Sequence, residues 1–300
     1  MKLRFSSSPA FVCICFASLY SVAHGATFQY WNPGGTGGDG IWGTSPGEKN
    51  WNAVPGAPAG NTAWPDTTDD VAVFQDLTGG VVTLSEPLQA AGIIQNGANY
   101  SINAGLITLV PDMAAASPFV KVLGGSLTID SVIAGNNGLI KDGVGTLALT
   151  GSSTYNGSTQ IKSGSLHLAG SLTSSSVSIT SGASLLDQNG GLSTTATLTN
   201  AGSLTLNTND TIASYISNGG TLTAGAGTLF STSAALNNGS SVAGLLNTTT
   251  LTSNGTVLLS GTATAGSTSI QSGTLTLSGA LISDVVGIAT GASLLDQNGG

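Results

Sequence analysis

The sequence predicts an all-β protein: a parallel β-helix, or β-solenoid, with rungs of about 18 residues and an N-terminal Trp/Gly-rich cap. Three observations lead there. The segment beyond residue 80 is full of Val, Ile, Leu and Thr in alternating runs, which suits a pleated strand. Every proline lies at or before Pro118, so the last 180 residues hold nothing that would break a continuous sheet ladder. A short signature of glycine, a small polar residue and an aliphatic recurs at nearly constant spacing.

Taken in order along the chain, residues 1–25 read as a secretory signal peptide. Lys2 and Arg4 give a positive start, Ala10 to Ala23 is apolar except for Ser18 and Ser21, and Ala23-His24-Gly25 supplies small residues for cleavage. The run is shorter than the roughly 20 apolar residues that a spanning helix needs. Cys13 and Cys15 leave with it, so the remaining chain holds no disulfide and no thiol. It also keeps four lysines and no arginine against fourteen acids. With no basic patch, nucleic acid is not expected as a partner.

Residues 26–79 form the expected cap region. All four tryptophans (Trp31, Trp42, Trp51, Trp64) fall here. Two uses stand open for them: stacking on sugar rings, or plugging the open end of the helix, the latter favoured because that end exposes unpaired backbone. Gly34-Gly35-Thr36-Gly37-Gly38-Asp39-Gly40-Ile41 fits one copy of a calcium-binding nonapeptide. That chemistry needs stacked copies, and Gly43-Thr44-Ser45-Pro46 does not continue the pattern, so a Gly-rich cap loop is the expectation.

Residues 80–300 form the repeat region. The signature reads Gly125-Ser126-Leu127, Gly145-Thr146-Leu147, Gly164-Ser165-Leu166, Gly202-Ser203-Leu204, Gly220-Thr221-Leu222, Gly255-Thr256-Val257 and Gly273-Thr274-Leu275, with looser versions at Gly182, Gly239 and Gly291. A second aliphatic series (Ile161, Ile179, Leu198, Ile216, Ile270, Ile288) keeps the same beat. Each period therefore holds two short strands, and glycine before the strand marks a corner with positive φ. Constant spacing stacks equivalent apolar residues into interior columns, which favours a solenoid over an antiparallel meander. Ser181 to Gly191 returns almost unchanged as Thr290 to Gly300, so the chain is expected to continue beyond residue 300.

Gly138-Leu139-Ile140-Lys141-Asp142-Gly143-Val144-Gly145-Thr146-Leu147-Ala148-Leu149-Thr150-Gly151, followed by Tyr155-Asn156-Gly157 and Gly164-Ser165-Leu166, resembles the autotransporter-associated β-strand repeat. The copy at 255–275 lacks the Lys-x-Gly opening and the tyrosine. Trp31, Trp42, Trp51 and Asp69-Asp70-Val71-Ala72-Val73-Phe74 resemble the start of such proteins. The resemblance implies a right-handed β-helical passenger, secreted or displayed at the cell surface in association with the outer membrane. It also implies export by a C-terminal β-barrel translocator, which this chain does not contain.

Catalysis is poorly provided for, and no catalytic, cofactor or metal residue is nominated. Alternation places His167 on the outward face of Ser165-Leu166-His167-Leu168. Asp130, Asp142, Asp187, Asp210, Asp284 and Asp296 are isolated, and Asp187 and Asp296, before Gln-Asn-Gly-Gly, read as turn residues. Gly239-Ser240-Ser241-Val242-Ala243 only approximates a nucleophile elbow. The expected function is a non-catalytic scaffold or adhesin, with surface glycans or proteins as partners. A polysaccharide-binding or polysaccharide-cleaving β-helix and a passive stalk for a further domain are the alternatives.

Overall fold

The computed structural model describes residues 26–33, 37–57, 59–111 and 117–298. The expected signal peptide, and Gly34-Gly35-Thr36 of the Gly-rich loop, lie outside these residues. The described chain is an all-β solenoid of about 12 turns with about 19 residues per turn. Strands 27–31, 70–74, 92–95, 119–122, 139–142, 159–161, 176–179, 197–200, 210–218, 228–237, 245–254, 262–272 and 280–288 stack in parallel into one face. A second parallel face runs from 40–42 through 80–84, 126–129, 146–149 and 165–168 to 293–296.

Alternation decides which residues enter the interior. Strand 165–168 buries Leu166 and Leu168 and leaves Ser165 and His167 half-exposed. Because each strand pairs in parallel and in register with its equivalent, buried positions stack. Leu127, Leu147, Leu166, Leu185, Leu204 and Leu222 form one interior column, as their spacing predicts. Parallel ladders also satisfy the backbone groups of every interior rung from the rungs on either side.

Three details depart from the spacing. A third face exists: short strands 88–90, 106–109 and 132–134 form their own sheet, as do 152–153 and 171–172. From residue 210 onward this face merges with the first, giving strands of nine to eleven residues. Second, the Gly-x-aliphatic column slips by two residues at Val242. Leu222 pairs with Val242, which pairs with Leu259, so Val257, Leu275 and Leu294 stand in a neighbouring column. Third, the Ile161–Ile179 column continues through Asn200 and Ser217, not through Leu198 and Ile216. Leu198 is interior in the adjacent column beside Tyr215, and Ile216 faces outward. Turns of unequal length between rungs shift register by whole side-chain pairs, which sequence spacing alone does not reveal.

The positive-φ reading of the glycine corners holds at Gly125, Gly164, Gly182, Gly239, Gly255, Gly273 and Gly291. Gly145, Gly202 and Gly220 are different and take no positive φ. At Gly202 a Cβ would run into the carbonyls of Ala183 and Thr180 in the rung before. Close approach of two backbones, rather than a left-handed conformation, requires glycine at that corner.

Candidate functional site

The tryptophans are interior. Trp31, Trp42, Trp51 and Trp64 are all 2% exposed or less. They pack edge-on or tilted against one another with centroids 4.7–5.0 Å apart, and Phe74 closes the cluster at 5.5–5.9 Å from Trp31, Trp42 and Trp51. Trp31 Nε1 donates to the Gly38 carbonyl (2.9 Å), and Trp64 Nε1 to the Gln89 carbonyl (3.0 Å). Rings buried this way offer no face to a sugar, so the indoles fill the first rungs as a plug does. Strand 51–52 runs antiparallel against strand 27–31 and covers the outer edge of the first sheet.

In the described part of the Gly-rich loop, Asp39 Oδ1 accepts the Val81 amide (2.8 Å), tying the loop to strand 80–84. Among the described residues no three His, Cys, Asp or Glu side chains converge in a way that could hold a metal ion.

The repeat at 138–166 uses its polar residues inside the rod. Lys141 occupies an interior position, stacked between Val120 and Ile161, and is fully buried. Its Nζ donates to the carbonyls of Asp142 (3.2 Å), Gly143 (2.7 Å) and Ser163 (2.8 Å). Charge-assisted bonds of this kind replace the hydration that the ammonium gives up. Burial still pulls its pKa down to about 8, against the opposing pull of Asp142. Asp142 itself points outward, takes a hydrogen bond from Ser163 Oγ (2.8 Å) and pairs with Lys121 (3.3 Å). Tyr155 is fully buried with its hydroxyl 2.7 Å from Thr159 Oγ1. The Lys-x-Gly opening and the Tyr-x-Gly centre are therefore devices for turning the chain: the lysine gathers carbonyls from two rungs, and the tyrosine fills the corner.

Of the isolated acids, two come together. Asp187 and Asp210 are 0% and 5% exposed. Asp187 Oδ1 accepts the amides of Asn189 (3.3 Å), Gly190 (3.0 Å) and Gly191 (3.2 Å), which is the turn role its sequence context implies. Asp210 Oδ2 takes the next amide, that of Leu192 (3.0 Å), and its Oδ1 that of Thr211 (2.7 Å). Burial, with the hydrogen bond and charge of Asp187 behind it, pushes Asp210 up to about 8. Sequence reading missed this pairing because the two residues are 23 apart and the turn motif that holds Asp187 does not include Asp210. Asp296 accepts the Asn298 amide (2.8 Å), again a turn role.

Outward positions carry ladders of polar side chains linked from rung to rung. Asn254 Nδ2 donates to Asn237 Oδ1 (3.1 Å), and Asn237 Nδ2 to Asn218 Oδ1 (2.7 Å). Ser165 and Ser184 hydroxyls are 2.8 Å apart, Ser203 and Thr223 2.9 Å, and Ser214 and Ser233 3.0 Å. His167 stands beside Leu186 of the next rung on this outer surface.

A parallel solenoid with an aromatic plug, buried motif residues and polar outer ladders defines the class: a β-helical repeat protein. Comparison with known proteins agrees. Residues 139–168 match the family model of the passenger-associated-transport-repeat. Over 146 residues the chain is 34% identical to the Adhesin BmaC autotransporter of Brucella suis biovar 1 (strain 1330), an alignment covering 47% of this chain and 4% of that protein. The chain thus spans only a small fraction of the length of this relative. No solved structure matches it significantly. The resemblance read from residues 138–166 is borne out: the chain carries the repeat of autotransporter passengers and looks like a segment of one.

Proposed function

We propose that this chain is a non-catalytic, surface-displayed or secreted passenger that acts as a rigid scaffold and adhesin. The observation that carries the proposal is the regular outer surface. Rungs hold Ser, Thr and Asn side chains in linked ladders, so equivalent hydrogen-bonding groups repeat at the strand spacing of about 4.8 Å. Such a surface suits many weak contacts summed along a rod. The matched repeat and the adhesin name of the relative support the same reading. Residues 26–79 serve as the cap in this view, and residues 80–300 as the binding rod. Surface glycans or proteins are the partners, with export through a β-barrel supplied elsewhere.

The test is binding without turnover. The purified chain, immobilised on beads, is exposed to polysaccharides and surface proteins, and both retention and release of reducing ends are measured. Retention that strengthens with bead density, with no cleavage, is the expected result. Release of reducing ends would replace the scaffold with a polysaccharide-cleaving enzyme. No retention on any surface would leave a passive stalk.

A further inference from the structure

We propose that Asp187 and Asp210 share a single proton and together form a pH-sensitive latch on the turn at residues 188–192, in the middle of the rod. Four observations support this. Both side chains are buried, so neither charge is hydrated. Between them they hold four consecutive amides, those of Asn189, Gly190 and Gly191 on Asp187 and that of Leu192 on Asp210. Asp187 Oδ2 is buried and receives no N–H or O–H donor. The consecutive amides of Gly191 and Leu192 go to Asp187 and Asp210 respectively, which brings the two carboxyls together at one turn.

An orphaned carboxylate oxygen facing a second carboxyl is satisfied by one thing the chain can supply, a carboxylic proton. Two ionised carboxylates at this distance and burial would repel each other and leave that oxygen unpaired. A cation is the less suitable occupant. The four amide hydrogens already turn their positive ends on the pair, and no third acidic or histidine ligand joins it among the described residues.

The groups packed around the pair leave the assignment clear. In the neighbouring rungs, Asp187 stacks between Leu168 and Leu206, and Asp210 stacks against Leu229. The ionisable residue on strand 165–168, His167, faces outward beside Leu186. Asp187 is the charged group that acts on Asp210.

The direction of the switch follows from linkage. Asp210 is raised from 3.8 to about 8, so the closed latch keeps its proton where an opened, hydrated carboxyl would lose it. The latch is therefore tightest below about pH 4, loosens as pH rises, and changes no further above about pH 8. One proton is linked, so the opening equilibrium rises by up to tenfold per pH unit within that window.

The experiment is hydrogen exchange of the amides of residues 189–192 in the full chain between pH 5 and pH 9, corrected for intrinsic rates. The expected result is protection that falls by up to tenfold per unit and levels off near pH 8. Asp210→Asn supplies a permanent donor to Asp187 and should flatten the profile at residues 189–191 while keeping their protection high at pH 9, although its single oxygen can accept only one of the Leu192 and Thr211 amides. Asp187→Asn removes the neighbouring charge but leaves the burial that raises Asp210 most, so the fall in protection should persist and level off below pH 8, which keeps the test decisive if Asp210→Asn fails to fold. A flat wild-type profile overturns the latch, as does an unchanged slope in a folded Asp210→Asn variant. Millimolar calcium that protects these amides in the wild type and not in Asp210→Asn would also overturn it, by showing that a cation holds the pair.

Discussion

Gly164 and Gly182 sit at the same corner of consecutive rungs, with φ of +64° and +81°. They differ in what surrounds them. A Cβ at Gly164 would lie 2.5 Å from the Gly145 carbonyl oxygen and 2.8 Å from the Val144 carbonyl carbon, both backbone of the rung before. A Cβ at Gly182 would meet nothing within 4 Å. Gly182→Ala should therefore cost only the left-handed backbone, about 1–2 kcal/mol. Gly164→Ala should cost the same plus the displacement of a packed rung, about 1–3 kcal/mol more by analogy with overpacked cores. The gain from a stiffer unfolded chain is common to both and cancels. At about 2–4 °C per kcal/mol for a chain of this size, the two variants should melt roughly 2–12 °C apart. Melting followed by far-ultraviolet circular dichroism gives the comparison. Because solenoids can unfold in parts, exchange of the amides in strands 165–168 and 184–187 should accompany it. Equal losses in the two variants would refute the claim that close approach of successive rungs makes glycine necessary at residue 164.

Other outcomes can be checked in the same way. Leu166→Ala, in the middle of the fully buried leucine column, should cost about 2–5 kcal/mol in denaturant unfolding. Trp51→Ala removes a ring packed on Trp31, Trp42, Trp64 and Phe74, and should cost about 3–5 kcal/mol while leaving any glycan retention by the folded fraction intact. Lys141 is depressed from 10.5 to about 8, so the unfolded chain binds the extra proton between those values and stability rises with pH across that window. Measured between pH 8 and 9.5, that rise should be present in the wild type and absent in Lys141→Met.

What the sequence made legible is what repeats. The column from Leu127 to Leu222 and the glycine corners are visible because parallel stacking turns a period in the sequence into contact in space. The crowding of tryptophans before residue 65 is visible as a local excess of large rings with one interior to fill. The third face escaped because strands such as 152–153 and 171–172 are too short to show alternation. The slip at Val242 escaped because side-chain period is two, so a shift of two residues leaves the inward pattern unchanged. Lys141 reads as a surface charge from its residue type, and only its three carbonyl acceptors, one of them 22 residues away, explain its burial. The Asp187–Asp210 pair escaped for the same reason: the partner stands one rung on, and no local spacing announces it.

Strand 51–52, lying antiparallel on strand 27–31 and bridged in turn to Thr62, gives the rod a direction. Every other neighbour in that sheet is parallel, so its hydrogen-bonding groups are offered in the slanted pattern that another parallel rung can accept. The antiparallel strand breaks that pattern and closes this edge of the first sheet to a further parallel rung. A second copy thus finds no matching parallel template at this edge, which guards against end-to-end stacking.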